Sequence, residues 1–260
     1  MGEAVLGRSI WQLTGKDVLA FLQGLVSNDV LPLAQSPGIV WAALLTPQGK
    51  YLADFFVIRR PDAPEGEILL DLPEALSANV IKRLQMYKLR ADVQIAPSSL
   101  QVQRGLDPAP ATALPDPRHQ DLGWRLYSDS TGAPPAIDWD ALRVELMVPE
   151  YPADLVPDES YILEMGFERL NGVSFRKGCY VGQEVTARMK HKTELKKGLV
   201  RLSITGTAAA GTPITIADGR EAGRLGTVSG GQALAHARFD RLSDTLLADM
   251  AKLAADKLAK

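Results

Sequence analysis

The sequence lacks several features that would assign a function at once. Its 260 residues include one cysteine, Cys179, and three histidines. A single cysteine excludes an internal disulfide framework and any metal or cluster site built only from cysteines of one chain. Neither HExxH nor CxxC occurs, and no Walker-type loop, GxGxxG or GxSxG is present. Phosphoryl transfer and dinucleotide-dependent hydride transfer therefore have no support from motifs.

Long apolar runs and strong net charge are also missing. No run of about 18 apolar residues occurs, which excludes a transmembrane helix. Residues 1–13 lack the basic start and apolar core of a signal peptide, so we expect a cytoplasmic location. The formal net charge is only −2, so we expect neither membrane attachment nor stable, direct nucleic-acid binding. The composition, 46% hydrophobic and 23% charged, is that of an ordinary globular protein.

Apolar periodicity predicts an α+β fold. Strand-like runs occupy residues 9–13, 39–46, 51–59, 67–72, 91–95, 100–103 and 122–127. Helical spacing begins at residue 17 and recurs over 74–89 and 138–148. Further short strands with frequent turns follow at 198–205, 213–217, 224–229 and 233–239, and such a series is typical of a small β-barrel or sandwich.

These patterns divide the chain into three predicted parts. Residues 1–190 form a ligand-binding α+β region, with a possible module boundary in the proline-rich stretch 105–120. Residues 191–243 form the small β-barrel. Residues 244–260 (DTLLADMAKLAADKLAK) have the apolar spacing of an amphipathic helix and are predicted to be a helical tail.

The segment RKGCYVGQE, residues 176–184, is the most distinctive in the chain. Two glycines bracket Cys179 and allow backbone shapes that other residues avoid. Lys177 and Arg176 are adjacent, and positive charge favours a thiolate. Cys179 is therefore a candidate nucleophile, metal ligand or redox sensor, with Lys177 as its partner. The alternative is that Cys179 is a small buried hydrophobic residue.

Charge is concentrated around the same segment. Residues 176–201 contain eight basic side chains and two acidic ones, so this stretch is net +6 and the remainder of the chain is −8. Arg188 is among these basic residues. A local basic patch on an otherwise acidic protein indicates an anionic ligand or partner. The alternative is a solvated, lysine-rich turn between domains.

Three carboxylates occur within apolar stretches: Asp54 in LADFFVI, Asp71 in ILLDL and Glu145 in LRVELMV. If these stretches are buried, each carboxylate must be paired or must bind a ligand. A buried carboxylate can bind the amino-amide edge of a pterin or guanine through two parallel hydrogen bonds. Trp11 is one of four tryptophans that could stack on a flat ligand. The alternatives are the outward face of a half-buried strand for each carboxylate and a place in the core for each tryptophan.

The segment around Cys179 resembles the K-G-C-Y-x-G-Q-E signature of the YgfZ-type folate-binding proteins. These are relatives of the glycine-cleavage T-protein, an aminomethyltransferase, and include iron–sulfur cluster assembly factors. Four other stretches match the same family: FLQGLVSNDV (21–30), LLTPQGK (44–50), MYKLR (86–90) and LNGVSF (170–175).

The resemblance implies a T-protein-like ring of α+β modules around a central folate cavity, with a small C-terminal β-barrel. Arg143 and Glu145 match the R-x-E of the T-protein, whose glutamate binds the pterin. The T-protein carries two consecutive aspartates where this chain has Ala53 and Asp54, and it lacks the cysteine signature. Both differences favour the iron–sulfur branch, whose members support iron–sulfur enzymes, including enzymes that modify tRNA.

Two hypotheses follow from this resemblance. The first is a tetrahydrofolate-binding accessory factor for iron–sulfur cluster assembly or repair, with iron–sulfur assembly machinery or client enzymes as partners. Cys179 would act near the cavity, and the candidate folate-binding residues are Glu145, Arg143, Asp71, Trp11 and Arg188. The second is a tetrahydrofolate-dependent one-carbon transferase or demethylase, with Asp54 as the acid–base group. A non-catalytic scaffold that docks an acidic protein is a third reading.

Overall fold

The computed structural model describes residues 2–106, 108–242 and 245–255. The chain divides into two units: Met1–Ile137 with Glu168–Gln183, and Asp138–Phe167 with Glu184–Lys260. The stretch 138–167 therefore groups with the C-terminal strands, and the stretch 168–183 returns to the first unit. No helix among the described residues is both long and apolar enough to cross a bilayer.

Among its described residues, the first unit contains two antiparallel sheets and two α-helices. Its elements are β1 (Glu3–Ala4), β2 (Arg8–Thr14), α1 (Val18–Gln23), β3 (Gly38–Leu45), β4 (Tyr51–Arg59), β5 (Ile68–Pro73), α2 (Glu74–Lys88), β6 (Gln94–Pro97), β7 (Gln101–Gly105), β8 (Leu114–Pro115) and β9 (Trp124–Ser128). One sheet has the order β3-β4-β5-β2-β6 and the other β1-β7-β9-β8. Helix α2 contacts β2, β4 and β5 and buries Leu76, Val80 and Leu84.

The β3–β4 hairpin determines which side chains share a face of the larger sheet. Its turn contains Gly49 at φ +74°, a conformation that glycine adopts without strain. Ala43 is paired with Asp54 across the hairpin, and Phe56 is paired with Asp71 on β5. Paired residues in antiparallel strands project to the same face, as do residues two apart on one strand. Asp54, Phe56 and Asp71 therefore share one face.

The second unit is built around a closed barrel. Its elements are α3 (Trp139–Leu146), α4 (Gln183–Lys192), β10 (Lys197–Thr205), β11 (Pro213–Ile216), β12 (Glu221–Ser229), β13 (Gln232–Arg238), β14 (Leu246–Ala248) and β15 (Ala251–Ala255). Six strands of the described chain close in the order β10-β13-β12-β11-β14-β15. Asp138 caps α3 by accepting a hydrogen bond from the Ala141 amide at 2.8 Å. The predicted α+β class with a C-terminal barrel is confirmed.

The predicted helical tail is wrong for residues 246–255, which form the hairpin β14–β15. Leu246 is paired with Leu253, and β15 also pairs with β10, so the tail completes the barrel. The turn passes through Asp249 at φ +52°, and the buried residues alternate as in a strand. Long-range pairing therefore overrides the helix propensity of this alanine- and lysine-rich sequence. Residues 244 and 256–260 of the predicted helix lie outside the described residues.

Candidate functional site

The segment before Cys179 is attached to the residues that follow α1. The buried Ser27 hydroxyl donates to the Gly172 carbonyl at 2.7 Å and accepts from the Ala43 amide at 2.8 Å. The Ser174 amide donates to the Ser27 carbonyl at 3.0 Å. Ser27 therefore links strand β3 to the segment that precedes residues 176–184, which we call the cysteine loop. The sequence signal for this contact is the polar run Ser27–Asn28–Asp29 that follows α1. Sequence reasoning did not single out Ser27 as a functional residue.

Lys177 is a buried lysine whose ammonium group is surrounded by main-chain oxygens. Its Nζ donates to the carbonyl oxygens of Gln23 at 2.7 Å, Asn28 at 3.0 Å and Val26. Three acceptors match the three N–H groups of an ammonium. Burial lowers the pKa of Lys177 to about 8, and Nζ also lies 4.9 Å from the centre of the Tyr180 ring. Lys177 therefore fixes the first half of the loop.

The two glycines that bracket Cys179 differ in their surroundings. Gly182 has φ +85°, and a Cβ there would lie 2.6 Å from the Thr46 carbonyl oxygen and 3.2 Å from Gly49 Cα. Gly182 therefore lets the loop lie directly against the turn of the β3–β4 hairpin. Gly178 has no positive φ, and a Cβ there would meet nothing within 4 Å. The expected need for a special backbone shape is thus confirmed for Gly182 and wrong for Gly178.

Cys179 is exposed between these two fixed points. This exposure excludes the alternative of a small buried hydrophobic residue. Within the described residues, no group of three or more His, Cys, Asp or Glu side chains is arranged to hold a metal ion. An accessible thiol on an anchored loop can act as a nucleophile, supply one ligand to a shared cluster or undergo reversible oxidation.

Asp54 is buried in the larger sheet and is bound by two neutral donors. Trp41 Nε1 donates to Asp54 Oδ2 at 2.8 Å, and the Tyr51 hydroxyl donates to Oδ1 at 2.7 Å. Burial, reinforced by the Asp54 charge, raises the pKa of Tyr51 well above its usual value, so Tyr51 retains its proton. A carboxylate has about four lone-pair positions, so Asp54 can accept further hydrogen bonds from a ligand.

Asp71 is fully buried on the same face but is bound by cations. Arg8 Nε donates to Oδ1 at 2.6 Å and Arg125 Nη2 to Oδ2 at 2.7 Å. The Tyr127 hydroxyl also donates to Oδ2 at 3.0 Å. Burial opposes ionisation of Asp71, but the two guanidinium groups outweigh it and lower its pKa. Asp71 is therefore held in an ion-pair network, and its predicted role in folate binding stays a prediction.

Two arginines beside the Phe56 ring, Arg118 and Arg125, were not singled out from the sequence. Arg118 donates to both oxygens of Asp116 at 3.0 and 2.9 Å. The guanidinium carbons of Arg118 and Arg125 lie 5.0 and 4.2 Å from the centre of the Phe56 ring. The sequence signal that could have revealed Arg125 is its position inside the apolar strand WRLYS.

Trp11 lies on the other face of the larger sheet. Trp11 is paired with Leu70, whereas Asp71 is paired with Ile10, and neighbouring residues along a strand point to opposite faces. The structure therefore does not bring Trp11 together with Asp71 or Asp54, and the role of Trp11 in folate binding stays a prediction.

Arg143 and Glu145 belong to α3 in the second unit. Arg143 is buried and donates to Asp140 at 2.7 Å and to Asp154 at 3.3 Å. Glu145 is exposed, so the premise that it is a buried carboxylate is wrong. Arg188 is exposed on α4. Residues 183–192 of the basic stretch therefore form a helix and not the lysine-rich turn considered above. The roles of these three residues in folate binding stay predictions.

Comparison with known proteins extends these observations. The C-terminal β-barrel domain family of CAF17 matches residues 196–259, which covers the barrel and the corrected tail. The glycine cleavage system aminomethyltransferase T of Bartonella henselae superposes with a TM-score of 0.72 over 98% of this chain and 84% of that structure, at 12% identity. The fold is therefore that of the aminomethyltransferases.

Sequence comparison then gives the family. The mitochondrial iron–sulfur cluster assembly factor IBA57 of Mus musculus is 31% identical over 92% of this chain and 78% of its own length. The IBA57 homologue of Mycosarcoma maydis is 34% identical over 79% of this chain. The chain spans 57% of the length of that fungal relative. The chain belongs to the IBA57/CAF17 family of YgfZ-type iron–sulfur cluster assembly factors, as the resemblance implied.

Proposed function

We propose that the chain supports assembly or repair of iron–sulfur clusters in a tetrahydrofolate-dependent way, with tRNA-modifying iron–sulfur enzymes among its clients. The observation that carries this proposal is the exposed thiol of Cys179, on a loop fixed at Lys177 and at Gly182. The relatives named above are iron–sulfur assembly factors. Those relatives are mitochondrial, and a cytoplasmic location for this chain stays a prediction.

The cluster in this proposal is a cargo shared with a partner. Iron–sulfur clusters take about four protein ligands, and this chain has one cysteine. Cys179 therefore supplies at most one thiolate, and the others come from the assembly machinery, a client enzyme or a small thiol. An exposed position suits this sharing, because a partner must bring its ligands to within bonding distance of the same iron atoms.

A complementation experiment in cells that lack the family member tests whether the Cys179 thiol is required. Wild-type protein should restore the activity of an iron–sulfur enzyme, and Cys179→Ser should not, although its thermal stability is unchanged because the side chain is exposed. Glu65→Gln, at an exposed position outside residues 176–184, is the control and should restore activity. Full restoration by Cys179→Ser would remove the thiol from the function.

Folate binding is the second part of the proposal. Asp54 fits a ligand of this kind, because its carboxylate is bound only by neutral donors and keeps free acceptor positions. Asp71 fits poorly, because two arginines and a tyrosine occupy its oxygens. When bound, tetrahydrofolate would supply a carrier for a one-carbon unit. Glu145 is retained as the proposed pterin ligand on the strength of the R-x-E match.

Calorimetric titration with tetrahydrofolate tests this assignment. Glu145→Ala should weaken binding about tenfold or more, since a hydrogen bond to a charged group contributes roughly 1.5–3 kcal/mol. Glu65→Ala removes another exposed carboxylate and should leave the affinity unchanged. Equal affinities for wild type and Glu145→Ala would show that the pterin does not bind there.

A second candidate function is a tetrahydrofolate-dependent one-carbon transferase acting on a small amine. The observation that favours it is Asp54, a buried carboxylate without a cationic partner among the described residues. Such a group can take a proton from an amine held beside it. Formation of methylene-tetrahydrofolate and ammonia from an aminomethyl donor, whose carbon is already at the oxidation level of formaldehyde, would establish this activity if Asp54→Asn abolished it. Absence of turnover with any such donor would exclude this activity and favour the accessory role.

A further inference from the structure

The second unit contains a cleft of ≈ 530 Å³ between the outer face of the barrel and the segment 153–165. Glu164 fixes that segment to the barrel at two points. Its carbonyl accepts from the Leu199 amide at 2.7 Å, and its carboxylate Oε2 lies 2.9 Å from His236 Nε2. Sites for small molecules commonly measure roughly 300–1,000 Å³, so the cleft has the size of a ligand site.

The strand register brings three cationic side chains and one histidine to the barrel side of this cleft. Lys197 on β10 is directly paired with Arg238 on β13, and His236 on β13 is directly paired with Arg224 on β12. All four line the cleft. Like charges directly opposite on neighbouring strands are destabilising. A bound anion would relieve this repulsion.

Neutralisation of this cation cluster within the described residues is incomplete. One carboxylate, Glu164, lies 3.6 Å from Lys197 and 2.9 Å from His236. Arg238 pairs with Asp240 at 3.1 Å. Among the residues that the structure describes, no carboxylate forms an ion pair with Arg224. Arg224, which is half-buried and lines the cleft, is therefore a cation without a carboxylate partner in the described part of the chain. Arg241, which also lines the cleft, donates to the Glu221 carbonyl.

The rest of the lining limits the kind of anion. Val156, Met165 and Leu199 add apolar surface. Glu159 and Glu221 also line the cleft and would repel a polyanion. We propose that the cleft binds a small organic molecule with one oxyanion group, a phosphate or a carboxylate, carried on an apolar body. The oxyanion lies against Arg224 and the apolar body against Leu199. This inference is independent of the proposed role of Cys179.

NMR titration of the full chain with phenyl phosphate, benzoate and inorganic phosphate tests the proposal. The chain has three histidines, so the ring signals of His236 can be assigned with a His236→Asn variant. Phenyl phosphate or benzoate should saturably shift the His236 ring and the amides of Gly223 and Arg224. The tighter of the two identifies the oxyanion, and inorganic phosphate should bind more weakly because it lacks an apolar body.

Arg224→Gln should raise the dissociation constant about tenfold, the effect of removing one charge-assisted hydrogen bond. Arg220→Gln is the matched control, because Arg220 is exposed, pairs with Asp218 and does not line the cleft. Its dissociation constant should stay within about twofold of wild type. Lys197→Gln should weaken binding in the same direction as Arg224→Gln. Absence of saturable shifts at these residues, or equal binding by Arg224→Gln and wild type, would overturn the proposal.

Discussion

Asp54 and Asp71 are buried carboxylates on one face of the same sheet, on neighbouring strands, yet their surroundings are opposite in kind. Asp71 receives hydrogen bonds from two guanidinium groups and a phenol. Asp54 receives one from an indole and one from a phenol. Burial alone therefore does not distinguish a carboxylate neutralised by cations from one bound only by neutral donors, whereas the charge of the donors does.

The difference has a physical basis. A buried carboxylate surrounded by arginines gains enough Coulomb energy to offset its desolvation, and its oxygens have little capacity left. A buried carboxylate bound only by neutral donors keeps negative charge that a ligand can neutralise or protonate. Arg125 also links the two sheets of the first unit, since it lies on β9 and Asp71 lies on β5. Substitutions at the two aspartates should separate stability from ligand binding.

The largest effect on stability is expected for Asp71→Asn. The amide keeps the shape but leaves Arg8 and Arg125 without their counter-charge, and loss of one partner of a buried ion pair costs about 3–5 kcal/mol. Urea unfolding followed by circular dichroism measures this loss. A loss below about 1 kcal/mol would show that water replaces the carboxylate and that the network is not structural.

Acid should reproduce part of that loss in the wild-type protein. Because the pKa of Asp71 is lower in the folded state than in the unfolded chain, its contribution to stability is present above its ordinary pKa. The contribution declines as pH falls through the lower folded-state value. Between neutral pH and about pH 3, wild type should therefore lose more unfolding free energy than Asp71→Asn. Parallel pH profiles for the two proteins would contradict this assignment.

Asp54→Asn should have the smaller effect on stability and the larger one on ligand binding. The amide nitrogen faces one of the two donors and leaves it unsatisfied, at a cost of about 1–3 kcal/mol. Tetrahydrofolate affinity should fall about tenfold, because the ligand loses a charged acceptor. Unfolding and calorimetry on the same variant measure both quantities. If Asp54→Asn destabilised the protein as much as Asp71→Asn, the contrast between the two sites would fail.

Local patterns predicted most of the elements, and long-range contacts account for what was missed. The β3–β4 hairpin follows from two apolar runs around Pro47 and Gly49, which are adjacent in sequence. The strand β15 was not predicted in this way, although its hairpin partner β14 is adjacent in sequence, because its other partner, β10, lies about fifty residues earlier. Leu246, Met250 and Leu253 are also spaced as on one face of a helix. Only closure of the barrel decides between the two.

The candidate site was also predictable only as far as its local motif, and its long-range contacts were missed. The motif around Cys179 identified the loop, but nothing in the motif shows that Lys177 is bound by three main-chain carbonyls while Cys179 is exposed. Those carbonyls belong to a segment about 150 residues earlier. The wrong expectation that Glu145 is buried came from its apolar neighbours in the sequence. Those neighbours lie on a helix that exposes one side, and Glu145 is on that side. Its burial depended on helix orientation, which its neighbours in sequence do not specify.

The smallest expected effect compares two tyrosines that each donate to one of the aspartates. Tyr51→Phe removes a hydrogen bond to Asp54, and Tyr127→Phe removes one to Asp71, so each should lose about 1 kcal/mol of unfolding free energy. Only Tyr51→Phe should change the affinity for tetrahydrofolate, by a few-fold, because it alters the carboxylate that is available to a ligand. Tyr127→Phe is the matched control, and an equal change in folate affinity for both variants would mean that the arginine-bound Asp71 also reaches the ligand.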